Sequence, residues 1–241
     1  MILGIETSGE MASVALFREG RVVGESSFES RMKLNQRLAS ELRELLGADL
    51  PSIGLEIIAA GVGPGSFTGV RMGVALAKAL AHGLSLPLAG VSAPEAVVSG
   101  LRLTEGTKVC VLQRARADEV YTTAIVVEGK GIPAERAATQ VITIDAALRA
   151  VQQLLEGPPS IVVGNAAERF ADRIDAAFPA VEIIADERAL PKAGEVARVA
   201  ARRPEAAERG LAFSLVPRYV RLSQAEREFG VDLGLSGGGH G

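Results

Sequence analysis

The segment from Gly61 to Gly69 constrains the fold of this chain more than any other part of the sequence. It reads Gly-Val-Gly-Pro-Gly-Ser-Phe-Thr-Gly and joins an apolar, β-compatible run at 57–62 to a predicted helix at 67–84. Glycines in this place favour a tight strand-to-helix turn, with Ser66 or Thr68 as the helix cap. The glycines that we assign to the turn are Gly63, Gly65 and Gly69.

The same segment also suggests a phosphate-binding loop, because glycines before a helix present backbone N–H groups to an anion. However, no Lys follows Gly69, so the Walker loop is absent, and Ser66 stands at the third glycine position of the dinucleotide fingerprint. A structural turn is therefore the favoured interpretation, with anion binding as the open alternative.

The helix that follows the glycines is apolar around most of its circumference. One face carries Val70, Val74, Ala77 and Ala81, a second carries Met72, Leu76, Ala79 and Leu80, and a narrow polar stripe carries Arg71, Lys78 and His82. Such a helix must be covered on two sides. One cover can be the sheet, and the other is either the leucine-rich helix predicted at 33–46 or another protein.

The rest of the chain alternates between strand and helix patterns. The first half predicts strands at 2–6, 12–17, 21–28, 57–62 and 86–91 and helices at 33–46 and 67–84. The second half predicts strands at 109–112, 120–127, 140–143, 161–163 and 181–184 and helices at 146–155, 166–178 and 194–202. This order predicts an α/β protein with two lobes, each a mixed β-sheet flanked by helices.

We predict an N-terminal lobe at residues 1–104, a C-terminal lobe at 105–235 and a disordered, glycine-rich tail at 236–241. Two such lobes, the first opening with two strands around a polar loop, are typical of the actin and sugar-kinase architecture. A doubly wound flavodoxin-like fold fits the same pattern nearly as well.

The polar loop after the first predicted strand is Thr7-Ser8-Gly9. It could hold a nucleotide phosphate, as in actin-like ATPases, or it could be a plain hairpin turn, and the sequence does not decide between the two. An ATP-binding phosphotransferase would also need a second phosphate loop, for which Val163-Gly164-Asn165 is a weak candidate.

Composition excludes several other functions. A formal net charge of −3 disfavours a strong grip on nucleic acid by this chain alone. The single cysteine, Cys110, lies in an apolar run, which predicts a buried side chain and suits a reducing cytoplasm. With only His82 and His240 beside it, we predict no metal site. We read no signal peptide and no membrane-spanning helix in the sequence.

Several motifs together resemble the TsaB (YeaZ) family of tRNA threonylcarbamoyladenosine biosynthesis proteins. The longest is Gly61 to Gly73. The others are Ile2 to Ser8, Pro87 to Ser92, Ala115-Arg116 with Glu119-Val120-Tyr121, and Pro217 to Arg221. The resemblance implies an actin-like (ASKHA) two-lobed fold and a non-catalytic relative of the catalytic subunit TsaD (Gcp). Ala93 and Val97 stand where TsaD carries metal-binding histidines. Leu34 and Arg114 depart from the family pattern, in which a His and an acidic residue are frequent.

The resemblance also implies partners and a binding surface. The expected partners are a TsaD-like catalytic subunit and a TsaE-like ATPase, with tRNA reached only through the complex. No cofactor is expected in this chain, although ATP or ADP could bind at an interface of the complex. The first two long helices would meet TsaD, with Leu34, Leu38, Val70, Val74 and Ala77 as candidate contacts. The same apolar surface could form a homodimer when the partner is absent. An older alternative for this superfamily is a glycoprotease, here without metal ligands.

Overall fold

The computed structural model describes residues 1–30, 34–47 and 54–220. The described chain forms two compact units: residues 1–96 together with 191–220, and residues 97–190. This differs from the predicted division at residue 104, which assigned residues 105–235 to the second lobe. Lys33, Arg221 and the predicted tail at 236–241 lie outside the described residues.

The first unit is built on a five-stranded mixed sheet. Its strands are β1 (Ile2–Glu6), β2 (Met11–Arg18), β3 (Arg21–Glu29), β4 (Ile57–Gly61) and β5 (Leu88–Val91), in the order β3-β2-β1-β4-β5. β2 is antiparallel to β1 and to β3, whereas β4 is parallel to β1 and to β5. The antiparallel strands exclude the flavodoxin-like alternative, whose doubly wound sheet is parallel.

Helices cover both faces of this sheet, so β1 and β4 are buried on both sides, whereas the edge strand β3 is largely exposed. Helices α1 (Leu34–Leu46) and α2 (Phe67–Gly83) pack with Leu3 and Ile5, while Ile2 belongs to the opposite face. Helix α3 spans Ala93–Gly100, and later in the chain α6 (Ala193–Arg202) packs on β1, β2 and β4. A Cβ on Gly4 would overlap the carbonyl oxygen of Ala193, so glycine permits this close approach. The packing of α6 is why residues after 190 belong to the first unit.

The second unit has a six-stranded mixed sheet. Its elements are β6 (Lys108–Arg114), β7 (Glu119–Glu128), β8 (Ile132–Glu135), β9 (Gln140–Thr143), α4 (Ile144–Leu154), β10 (Ile161–Val163), α5 (Ala171–Ala177) and β11 (Glu182–Ile184). The strand order is β11-β10-β6-β7-β8, and β9 also pairs with β7. β10 is parallel to β6 and β11, whereas β7 is antiparallel to its neighbours. Cys110 is buried in the core beside α4 and α5, as predicted.

Two mixed sheets flanked by helices confirm the predicted actin-like α/β class. The sequence pattern did not predict β8, α3 or the short helix α7 (Leu211–Ser214), which follows α6 in the first unit. Among the described residues, no helix combines the length and the apolar character needed to cross a bilayer.

Candidate functional site

The glycine segment forms the predicted turn between β4 and α2. Ser66 is the helix cap, since its Oγ accepts a hydrogen bond from the backbone N–H of Gly69 at 3.2 Å. Gly63 has φ +85°, a conformation that favours glycine. A Cβ on Gly65 would overlap the carbonyl oxygen of Ser8. Glycines therefore let the turn pack directly on the loop that follows β1.

That loop contains Thr7, Ser8 and Gly9, the predicted phosphate-binding residues, and its hydrogen bonds are made within the chain. Thr7 Oγ1 donates to the carbonyl oxygen of Gly69 at 2.8 Å. The Ser8 carbonyl accepts from the Ser66 N–H at 2.7 Å. Both Thr7 and Ser8 are buried. The loop thus serves as the floor of the glycine turn, and neither side chain faces an open cradle.

A buried carboxyl group beside the loop also opposes phosphate binding. Glu6 Oε1 accepts from the Ser8 N–H at 2.6 Å, so the backbone donor that an anion would need is occupied. Burial raises the pKa of Glu6, and the hydrogen bond that its carboxyl group accepts from the Ser8 N–H opposes this shift. Within the described residues, Glu6 Oε2 and Ser8 Oγ are buried without a hydrogen-bond partner. A nucleotide phosphate does not fit residues 7–9 in this arrangement.

The second candidate phosphate loop, at Gly164-Asn165 in the other unit, is likewise closed by its own chain. Asn165 Oδ1 accepts from the Arg114 backbone N–H at 2.7 Å, and the Asn165 carbonyl accepts from Arg114 Nε at 3.0 Å. The Gly164 N–H donates to the Ile184 carbonyl at 3.0 Å. Arg114, which departs from the family pattern, therefore holds this loop in place.

The positions of the missing metal ligands belong to the hydrophobic core. Ala93 and Val97 are both buried. Between them, Glu95 accepts from the Ser92 N–H at 2.9 Å and pairs with Arg203 Nη2 at 2.6 Å. Glu95 is thus a helix-capping and ion-pairing residue. In the part of the chain that the structure describes, no cluster of three or more His, Cys, Asp or Glu side chains could hold a metal ion.

The five predicted partner contacts are core residues, which corrects that assignment. Leu34, Leu38, Val70, Val74 and Ala77 are all buried within the first unit. The leucines of α1 recur every fourth residue and pack on the sheet, and Ala77 belongs to the same cluster. Val70 and Val74 pack with Val62 and Leu215. These side chains stabilise the unit and cannot touch another protein in this conformation.

A different face of α2 is exposed. Ala75 and Ala79 point to solvent, and Met72, Leu76 and Leu80 are half-buried beside them against the main core cluster. We call these five residues the α2 ridge. It carries only apolar side chains, three of them large, on the surface of an otherwise well-packed unit. The sequence pattern predicts the helix, but the residues predicted for its partner-binding face, Val70, Val74 and Ala77, are buried.

The other flank of α2 is covered by residues 211–219, which we call the strap. Lys78 Nζ donates to the carbonyl oxygens of Phe213 and Leu215 at 3.0 and 3.1 Å. Arg71 Nε donates to Tyr219 Oη at 2.6 Å, and its guanidinium lies 3.9 Å from the centre of the Phe67 ring. Both cations of the helix therefore bind the strap, which sequence analysis missed. The motif at 217–221 was the signal that could have indicated it.

Comparison with known proteins finds a matching family and several relatives. A family model described as "TsaD: tRNA N6-adenosine threonylcarbamoyltransferase" matches residues 30–229. The tRNA threonylcarbamoyladenosine biosynthesis protein TsaB of Escherichia coli K12 is 38% identical over 122 residues, 50% of this chain and 52% of that protein. TsaB of Bacillus subtilis 168 is 36% identical over 122 residues, 50% of this chain and 53% of that protein. The chain therefore spans about half the length of the curated relatives it matches.

Solved structures extend the likeness over most of the chain. YeaZ from Pseudomonas aeruginosa has a TM-score of 0.69 at 27% identity, covering 90% of this chain and 98% of that one. A second structure from that organism, an uncharacterized protein with similarity to peptidase YeaZ, has a TM-score of 0.69 at 25% identity and covers 91% of this chain and 99% of that one. The predicted resemblance to TsaB and YeaZ is confirmed. Because the family model covers more than half of the sequence, the chain belongs to the family described as TsaD, tRNA N6-adenosine threonylcarbamoyltransferase.

Proposed function

We propose that this chain is a non-catalytic subunit in the biosynthesis of threonylcarbamoyladenosine in tRNA, and that it binds and activates a TsaD-like catalytic subunit. The observation that carries the proposal is the α2 ridge, an exposed apolar helix face whose neighbouring cations are turned toward the strap. Ala75 and Ala79 would allow a partner helix to approach closely, and Met72 and Leu76 would supply apolar contact. The names of the TsaB relatives support the pathway.

The non-catalytic role is supported by what occupies the places where chemistry would be expected. Thr7 and Ser8 are buried under the glycine turn, Asn165 is bound to Arg114, and Ala93 and Val97 cannot ligate a metal. A phosphotransferase would need donors that are free to hold phosphate, whereas Thr7 Oγ1 and the N–H groups of Ser8 and Gly164 have partners within the chain, and Ser8 Oγ is buried. Calorimetric titration of the isolated chain with ATP should therefore show no micromolar binding.

The other members of the complex would supply what this chain lacks. The catalytic subunit would bring the transferase site, a TsaE-like ATPase would bring nucleotide hydrolysis, and tRNA would bind through the assembled complex. A net charge of −3 is consistent with indirect binding of tRNA. We place this work in the cytoplasm, where the buried Cys110 would remain a free thiol.

Reconstitution of the modification tests the proposal. TsaC, TsaD and TsaE are incubated with unmodified tRNA, ATP, threonine and bicarbonate, with and without this chain, and threonylcarbamoyladenosine is measured by mass spectrometry. We expect efficient modification only when the chain is present, and loss of activation with Ala79→Glu. Ala176→Glu, a matched change of an exposed alanine on α5, should activate like the wild type. Equal modification with and without the chain would reject the proposal.

A further inference from the structure

We infer that the surface that binds the catalytic partner extends beyond the α2 ridge onto the strap, with Phe213 and Val216 as its second apolar contact. This inference rests on the proposed function, because it takes the partner to be the same catalytic subunit. It adds a second, separate chain segment to the interface and predicts which of its side chains carry affinity.

The strap runs antiparallel to α2 along nearly the whole helix. Phe213 lies beside His82 at the end of the helix, with their rings 5.1 Å apart. Tyr219 lies beside Phe67 at the beginning of the helix, with ring centres 5.0 Å apart. Lys78 holds the middle of the strap. The strap is therefore a fixed second layer next to the ridge.

The strap is anchored in a way that leaves two apolar side chains mostly exposed, although the Phe213 ring touches His82 with one edge. Lys78 binds main-chain oxygens, the Arg218 N–H donates to the Val62 carbonyl at 2.8 Å, and Leu215 packs on Val62. None of these contacts requires the side chains of Phe213 and Val216, which are 72% and 64% exposed. Because the strap is anchored through its backbone, both side chains are exposed to solvent and available for contact with a partner.

Exposed large apolar side chains concentrate on α2 and the strap. Among the described residues, the large apolar side chains that are exposed are Phe67, Leu84, Phe213, Val216, Val23 and Leu154. The first four belong to α2, its C-terminal cap or the strap, whereas Val23 lies on β3 and Leu154 on α4. A single exposed apolar residue needs no explanation, but a cluster beside an apolar helix face indicates an interaction surface. The strap borders the ridge across Arg71, Lys78 and His82, and this adjacency favours the catalytic subunit over an unrelated partner.

Binding measurements with matched variants test the inference. The affinity of the purified catalytic subunit is measured by calorimetry for the wild type, for the Phe213→Ser/Val216→Ser double variant and for Leu154→Ser as the control. We expect the double variant to bind at least about tenfold more weakly and the control to bind normally. Because Phe213 and Val216 are mostly exposed, the midpoint of thermal unfolding of the double variant should stay within about 2 °C of the wild type, whereas Leu154→Ser, at a side chain that is 38% exposed, should lower it by a few degrees without unfolding the protein.

The outcomes separate this inference from the proposed function. If Ala79→Glu blocks binding but the double variant binds like the wild type, the strap is not part of the interface and the inference fails alone. If Ala79→Glu has no effect on binding, the proposed function itself fails. If the double variant alters only self-association in analytical ultracentrifugation, the surface serves a second copy of the chain, which also overturns the inference.

Discussion

Replacing Glu6 by glutamine should have an effect on stability that depends on pH. The unfolding free energy of the variant should rise relative to that of the wild type as pH rises from acidic to neutral. The Glu6 carboxyl group is fully buried, and Oε2 has no hydrogen-bond partner among the described residues. Burial raises its pKa above the ordinary value of 4.5, against the opposing hydrogen bond from the Ser8 N–H. The folded state therefore keeps a proton that the unfolded state releases, so the stability of the wild type falls as pH rises from about 4.5 to the raised pKa.

The size of the effect follows from proton linkage. Across that window, the wild type loses up to about 1.4 kcal/mol of unfolding free energy for each pH unit. Glutamine cannot ionise and has no such loss. Its amide N–H groups, if left without partners, would cost about 1–3 kcal/mol at every pH. The unfolding free energy of the variant minus that of the wild type should therefore increase as pH rises above about 4.5, whatever its sign at pH 4.5.

Urea unfolding followed by circular dichroism at pH 5, 6, 7 and 8 measures this difference directly. Glu41→Gln is a suitable control, because hydrogen bonds from Ser26 and Arg37 lower the pKa of Glu41. Its contribution is complete above about pH 4.5 and is lost only as pH falls further, so the control should show no trend over this range. A constant difference between Glu6→Gln and the wild type from pH 5 to 8 would refute the reasoning.

Three variants and one reactivity measurement test the packing. Gly73→Ala places a Cβ on the buried face of α2 against the loop after β1, so it should lower the unfolding free energy, measured in urea, by about 2 kcal/mol or more. Gly83→Ala places a Cβ in open space, so it should leave the unfolding free energy unchanged or raise it by up to about 1 kcal/mol. Arg203→Leu leaves the Glu95 carboxylate buried without its cation and should lower the unfolding free energy by about 2 kcal/mol. Burial raises the pKa of Cys110 to about 12, so the thiol should not react with Ellman's reagent at pH 8 until urea unfolds the protein.

The sequence predicted the elements that depend on local periodicity. The leucines of α1 recur at positions 34, 38, 42 and 46 and point to one face, and the glycines before α2 mark a turn. Both features follow from steric rules that act over a few residues. The capping role of Ser66 follows from the same kind of local rule, since its side chain is only three residues from the N–H that it accepts.

The outer face of α2 could not be assigned in the same way. Periodicity shows that the helix is apolar on two sides, but it does not tell which side meets the sheet. In the structure the valines Val70 and Val74 pack inward, and the alanines Ala75 and Ala79 remain outside. The strap was missed for a related reason. It is held by Lys78 through main-chain carbonyl groups, and such contacts leave no periodic pattern in the sequence.

The most direct test of the account is the affinity of the catalytic subunit for single-residue variants of the α2 ridge. Calorimetry with Ala75→Glu, Ala79→Glu and the control Ala176→Glu compares a charge at the ridge with the same charge elsewhere. We predict that both ridge variants lose at least about 100-fold in affinity, since a buried unpaired carboxylate costs several kcal/mol, while all three keep the unfolding midpoint of the wild type. Wild-type affinity in both ridge variants would contradict the account.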